Sequence, residues 1–225
     1  MVKKNPFDGL LFDLDGTLLD TAPDFISSMN VLMARHGEPK IGAEGIRLNV
    51  TNGSAGLIQH AFNVSPESRE FKTLRNELLS IYEKHIVEKT ALFPGIKQVL
   101  DECAERSIPW GIVTNKPWMY TETILEKLDL MDRVACAICP DHVQRPKPDP
   151  ESLYLACKKL RLKPSQCIYI GDHIRDILAG SRAAMSTIVA AWGYIDPDEN
   201  LSEWGANWIV ERSQGLHKFL FEKMV

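Results

Sequence analysis

From Phe93 onward, short apolar runs alternate with segments of helical period, and this alternation leaves the chain few possible architectures. The runs at 110–113, 135–138, 168–170 and 187–190 read as strands: each is short, partly β-branched or aromatic, and ends near Gly, Pro, Asn or Asp. Between them Ile96, Val99, Leu100 and Cys103 keep helical spacing, as do Leu153, Ala156, Cys157 and Leu160. Continuous apolar strands alternating with helices imply a parallel sheet covered on both faces. One more strand, at 10–12, precedes the point where the pattern breaks.

The break reads as all-helical. Phe25, Met29, Leu32 and Met33 fall on one helix face, entered through Thr21 as N-cap with Pro23 in the first turn. Segments 53–62 and 68–87 are also helical in pattern. The expected fold class is therefore α/β: a doubly wound parallel sheet built from residues 1–21 and 92–225, with a small all-helical domain at 22–91. Ligands of open α/β sheets bind beyond the carboxyl ends of the strands. An insert leaving the end of the first strand is expected to stand over that crevice as a lid.

The strand ends carry the chemistry. The first runs into Asp13-Leu-Asp15-Gly16-Thr17, two carboxylates two residues apart followed at once by Gly. A calcium loop would need oxygen ligands where Thr17, Leu18 and Leu19 stand. The strand at 110–113 ends in Thr114-Asn115-Lys116, that at 135–138 is followed by Arg145-Pro-Lys147-Pro-Asp149, and that at 168–170 by Gly171-Asp172 and Asp176. Parallel neighbours would bring these ends to one edge. Like charges at ~4 Å repel by about 4 kcal/mol at an effective dielectric of 20, so such a carboxylate group calls for a cation. Magnesium, which prefers hard oxygens and bridges to phosphate, fits that need.

In order and spacing these four segments resemble the signature motifs of the haloacid dehalogenase (HAD) superfamily, and the similarity covers nearly the whole chain. Leu19-Asp-Thr-Ala-Pro23, Thr114-Asn-Lys-Pro117 and Gly193-Tyr194 are similar to its phosphoglycolate phosphatase group. The Ile138-Cys-Pro-Asp-His142 segment and the tail from Gly193 to Trp204-Gly-Ala look closer to the N-acetylmuramic acid 6-phosphate phosphatase branch. The resemblance implies a Rossmann-like core with a helical cap and an Mg²⁺-dependent phosphatase acting through an aspartyl-phosphate. It implies Asp13 as nucleophile, Asp15 as general acid and then base, and Mg²⁺ on Asp13, the Asp15 carbonyl and Asp172. Asp176 would orient a metal water or Lys147. Phosphoryl transfer spreads charge over three oxygens, so donors should surround them; Gly16, Thr17, Thr114, Asn115 and Lys147 are the candidates. The Lys147–Pro148 bond is a candidate cis peptide, and a helix N-cap is the rival role for Thr114. In the insert, Arg47 and the 49–53 turn with Asn52 and Gly53 are the candidate contacts to a carboxylate or sugar hydroxyl, against plain capping.

Other classes fit less well. A sugar phosphomutase shares the core and is the main alternative. A carbon–phosphorus hydrolase would need a Schiff-base lysine, for which Lys84 and Lys89 are placed without supporting neighbours. A dehalogenase would have no use for the metal carboxylates, and a silent binding module would be expected to lose Asp13 or Asp15. A net charge of −4 argues against a nucleic-acid footprint. No stretch approaches the ~20 apolar residues of a membrane span. Lys3 and Lys4 lead into Asp8 and Asp13 rather than a signal-peptide core, so a cytoplasmic protein, monomer or homodimer, is expected. Five scattered cysteines suit reduced thiols, and the Cys136/Cys139 pair reads as core. His36, His60, His85 and His142 show no metal-pair spacing.

Overall fold

The computed structural model describes residues 7–224, so the expectation drawn from residues 1–6 lies outside the described residues. Along the chain come β1 (Gly9–Phe12), β2 (Leu19–Asp20), α1 (Ala22–Arg35), α2 (Ala43–Val50), α3 (Gly53–Phe62), α4 (Arg69–His85) and β3 (Ala91–Leu92). Then follow α5 (Ile96–Glu105), β4 (Trp110–Val113), α6 (Trp118–Lys127), β5 (Cys136–Ile138), α7 (Glu151–Leu160) and β6 (Cys167–Gly171). Last are α8 (Ile174–Arg182), β7 (Ser186–Ala190), β8 (Trp208–Val210) and α9 (Ser213–Lys218).

Six strands form one parallel sheet in the order β5-β4-β1-β6-β7-β8. Leu10 stands opposite Trp110 and Ile168, and Phe12 opposite Ile112 and Ile170. All of β1, β4 and β6 is buried. Leu11, Val113 and Tyr169 share a cluster with Leu153, Ala156 and Cys157 of α7 and Ala179 of α8. Their neighbours Leu10, Phe12, Ile112 and Ile170, turned the other way by the pleat, are buried as well. The sheet is covered on both faces, as the apolar runs imply. Each such side chain contributes roughly 1.5–3 kcal/mol on leaving water. The central strand β1 is flanked by β4 and β6; the chain adds β4 and β5 on one side of it and then β6, β7 and β8 on the other, so the three carboxyl ends of β1, β4 and β6 lie at a topological switch point.

Several elements go beyond the sequence reading: the two-residue strands β2 and β3, the short α9, and above all β8 and α2. β8 was not expected: its apolar run is only three residues long and lies at a sheet edge, with Ile209 38% exposed and Val210 alone buried. α2 buries only Ile46 and Val50, too few to show a helical period. It takes in Asn49 and Val50, which shortens the expected 49–53 turn.

By chain contacts the protein divides into two units, Asp20–Ala91 and the described residues on either side of it. The chain passes between them through β2 and β3, which pair with each other. Within Asp20–Ala91, the α1 stripe is packing: Phe25 stacks on Tyr82 of α4 at 4.1 Å, and Met29, Leu32 and Met33 are buried. Thr21 stands at the N-cap of α1 without a side-chain capping bond. Asp24 in the first turn, itself buried, accepts from Val87 N, Lys89 N and Thr90 N at 2.9, 2.8 and 3.1 Å and from Thr90 Oγ1 at 2.6 Å. That clasp returns the segment after α4 to the start of α1.

Candidate active site

Asp13 is the first residue beyond β1. Its N–H still bonds to Ile170 O at 2.8 Å, so the sheet fixes its backbone. Its Oδ1 accepts from Leu14 N at 2.7 Å and lies 2.9 Å from Lys147 Nζ, and no donor among the described residues reaches Oδ2. Lys147 comes from the loop after β5 and precedes a cis bond to Pro148. Its Nζ donates to Asp176 Oδ1 and Tyr169 Oη at 2.7 Å and to Val113 O at 2.9 Å. The Lys147 side chain is 1% exposed. Burial opposes its charge, but Asp13 and Asp176 outweigh burial and hold its pKa above the usual lysine value.

The oxygens of Asp13, Asp172 and Asp176 lie within 4.8 Å of one another. Asp172 follows β6 and is oriented by Thr17 Oγ1 on Oδ1 and Tyr194 N on Oδ2, both at 2.9 Å. The approach needs two glycines. At Gly16 (φ +80°) a Cβ would sit 2.0 Å from Asp172 Oδ2, and at Gly193 it would sit 2.2 Å from Asp172 Cβ. Asp13 keeps a 15% exposed side chain, yet burial is the largest influence on it and raises its pKa to about 6 against the pull of Lys147. Burial, then the charges of Asp13 and Asp176, pushes Asp172 well above the ordinary carboxylate range. Asp176 is already paired with Lys147 and accepts from His173 N at 3.1 Å. Two under-compensated carboxylates, Asp13 and Asp172, therefore face one space. This set of hard oxygens without His or Cys fits Mg²⁺.

Asp15 points elsewhere: Lys116 Nζ lies 3.0 and 3.3 Å from its two oxygens. Thr114 accepts from Lys116 N at 3.1 Å through its hydroxyl, which keeps its proton available, and the N-cap of α6 is Pro117 rather than Thr114. Three expected phosphate donors are engaged within the protein. Gly16 N bonds to Leu19 O at 3.0 Å, Thr17 Oγ1 is committed to Asp172, and Asn115 Nδ2 donates to Lys147 O at 3.0 Å. Beside the donor role expected of them, Gly16 and Thr17 shape the Asp172 side, and Asn115, whose amide has a second N–H, anchors the Lys147 loop.

Arg47, in the last turn of α2, forks onto Asp20 at 3.1–3.2 Å, while Asn52 and Gly53 open α3, Gly53 at φ +63°. All belong to the Asp20–Ala91 unit. Lys84 is exposed, and Lys89, also exposed, donates to Ser27 Oγ at 3.0 Å. Burial pushes the Cys136 and Cys139 thiols up to about 11, as expected of core cysteines. His36 pairs with Glu77, His85 with Glu88, and His142 accepts from Cys139 N.

Sequence reasoning passed over Lys116, Tyr169, Gly193 and the Tyr194 amide. Lys116 stands beside Thr114-Asn115 and carries a visible charge. Tyr169 reads as one more apolar strand residue until the sheet register brings its hydroxyl to Lys147.

Comparison with known proteins identifies the family. The model of the haloacid dehalogenase-like hydrolases matches residues 10–190. The N-acetylmuramic acid 6-phosphate phosphatase of Pseudomonas putida KT2440 is 41% identical over 211 residues, 94% of this chain and 95% of that protein. The phosphoglycolate phosphatase of Xanthomonas campestris pv. campestris strain 8004 is 37% identical over 208 residues, 92% of this chain and 93% of that one. A crystal structure described as a predicted phosphoglycolate phosphatase from Haemophilus somnus 129pt shares the fold, with a TM-score of 0.83 at 24% identity over 95% of this chain and 98% of that chain. The chain belongs to the haloacid dehalogenase-like hydrolases and is an enzyme of the phosphoric monoester hydrolase class. Among the described residues no helix is long and apolar enough to cross a membrane.

Proposed function

We propose that the chain is a magnesium-dependent phosphatase that cleaves N-acetylmuramic acid 6-phosphate through a phosphorylated Asp13, in the cytoplasm. The observation that carries the chemistry is the meeting of Asp13, Lys147 and Asp172 at the ends of three parallel strands. The choice of substrate rests on the 41% identity to the P. putida enzyme. Phosphoglycolate is the second reading, favoured by the 37% identical relatives.

Asp13 attacks phosphorus through an oxygen not held by Leu14, while the bond from phosphorus to the sugar oxygen breaks. Asp15 gives its proton to that leaving oxygen. The ionised Asp15 then takes a proton from water, which attacks phosphorus; inorganic phosphate leaves and the Asp13 carboxylate is restored. Lys147 and the Thr114 hydroxyl donate to the phosphate oxygens. Asp13, Asp172 and the Asp15 carbonyl would hold Mg²⁺, whose charge would offset the repulsion between carboxylate and phosphate. Both substrate readings carry a carboxylate, and we assign its recognition to Arg47, with Asn52 and Gly53 as further substrate contacts.

Release of inorganic phosphate from N-acetylmuramic acid 6-phosphate, phosphoglycolate and N-acetylglucosamine 6-phosphate tests the proposal. The first is expected to give the highest kcat/KM; EDTA abolishes turnover and Mg²⁺ restores it. Replacing Lys147 by Ala lowers kcat/KM by roughly 10²–10³-fold, the scale for one preorganised donor. An isomerised sugar phosphate without free phosphate would make the protein a mutase instead.

A further inference from the structure

Asp15 serves in the proposed reaction as a carboxyl group that must be aimed first at the leaving oxygen and then at water. Its carboxylate is gripped by Lys116, whose Nζ stands 3.0 Å from Oδ1 and 3.3 Å from Oδ2. The Lys116 side chain is 5% exposed and that of Asp15 19%. A buried ammonium is retained against a desolvation penalty of several kcal/mol, which the pairing must offset. The lysine is also rigidly presented. Its N–H bonds to Thr114 Oγ1 at 3.1 Å, Pro117 follows it, and Thr121 Oγ1 donates to Pro117 O at 3.1 Å.

We propose that Lys116 is a positioning residue for the proton transfers of Asp15. Contact with both oxygens fixes the plane of the carboxylate that Asp15 becomes as the leaving oxygen takes its proton, and that next takes a proton from water. The pairing links the end of β4 to the turn after β1, so the group that binds phosphate through Thr114 and the group that handles the proton move as one piece. Lys116 does not compete with Lys147, whose ammonium faces Asp13 and Asp176 instead. This inference rests on the phosphatase reading.

The test is kcat/KM, which reports the steps up to phosphorylation of Asp13, across esters ranging from alkyl phosphates to 4-nitrophenyl phosphate. Alkoxides need a proton to leave and 4-nitrophenolate does not. Lys116→Met is expected to lose roughly 10²-fold on alkyl esters, the low end for general acid catalysis, and only a few-fold on the nitrophenyl ester. Lys116→Arg should recover most of the loss with the wild-type leaving-group dependence, and Lys116→Met added to Asp15→Asn should cost little more. The inhibition constant of inorganic phosphate should stay unchanged. An equal loss on every ester, or a raised phosphate constant, would overturn the inference by making Lys116 a structural or phosphate-binding residue, and so would no loss at all. If Lys116→Met does not fold, an equal loss on every ester in the charge-preserving Lys116→Arg variant sinks it equally. Failure of the wild type to release phosphate from any ester would instead defeat the phosphatase reading itself.

Discussion

An ammonium has three protons to give, and at Lys147 four oxygens surround it: Val113 O, Tyr169 Oη, Asp176 Oδ1 and Asp13 Oδ1. Its protons are therefore shared among more acceptors than it has, and the Asp13 contact is the one on the partly open side of the site, since the Asp13 side chain is 15% exposed and that of Asp176 fully buried. The opposite wall depends on a missing side chain. Gly193→Ala would drive a Cβ to 2.2 Å from Asp172 Cβ and dislodge the Tyr194 amide from Asp172. Its Mg²⁺ activation constant is expected to rise roughly 10–100-fold, the scale for losing a residue that orients a ligand. Gly42→Ala, with nothing within 4 Å of the added carbon, is the control and should leave the constant unchanged. The acidic and basic groups at strand ends could be found in the sequence because a charge beside an apolar run is visible. The Gly193 contact and the Tyr194 amide could not, because a missing Cβ and a backbone N–H acquire meaning only once the chain has brought them against Asp172.

Elements were legible in proportion to the apolar surface they bury. The strands of the sheet centre show as continuous buried runs, whereas β8 buries only Val210 and α2 only Ile46 and Val50. The end of α1 shows a second limit. Thr21 has the composition of a cap, yet the polar work there is done by Asp24, whose partners lie more than 60 residues away in sequence. The clasp holds Val87 at φ +66°, a conformation costly for a β-branched residue, so it must contribute more than the strain removes. Asp24→Ala is expected to lower stability by on the order of 3 kcal/mol, because Val87, Lys89 and Thr90 all lose their acceptor. Chemical denaturation of the variant checks this. Loss of the clasp with no shift in midpoint would show that these amides find other partners.

For the whole molecule, carrying Asp13 and Asp172 without a cation has a defined pH signature. Both pKa values lie above the unfolded value, so the stabilisation is full below the unfolded pKa of 3.8 and is lost as pH rises through about 6 for Asp13, and further for Asp172. Burial holds the His173 pKa down to about 4, which works in the opposite sense, so the cluster's share is isolated by Asp13→Asn: from about pH 5 to about pH 7.5 the metal-free wild type should lose more melting temperature than that variant. Mg²⁺ should raise the melting temperature more at the higher pH, where the carboxylates are free to bind it. An equal shift at both pH values would remove the carboxylate cluster from cation binding.

The covalent step can be observed directly. Enzyme mixed with Mg²⁺ and excess substrate, quenched in acid within one turnover and reduced with borohydride, should yield a peptide in which the Asp13 carboxyl has become the corresponding alcohol, because only an acyl phosphate is reduced under these conditions. The Asp13→Asn variant should give no such product and no phosphate. Steady turnover with Asp13 unmodified, or reduction at another carboxylate, would show that phosphate does not pass through this side chain.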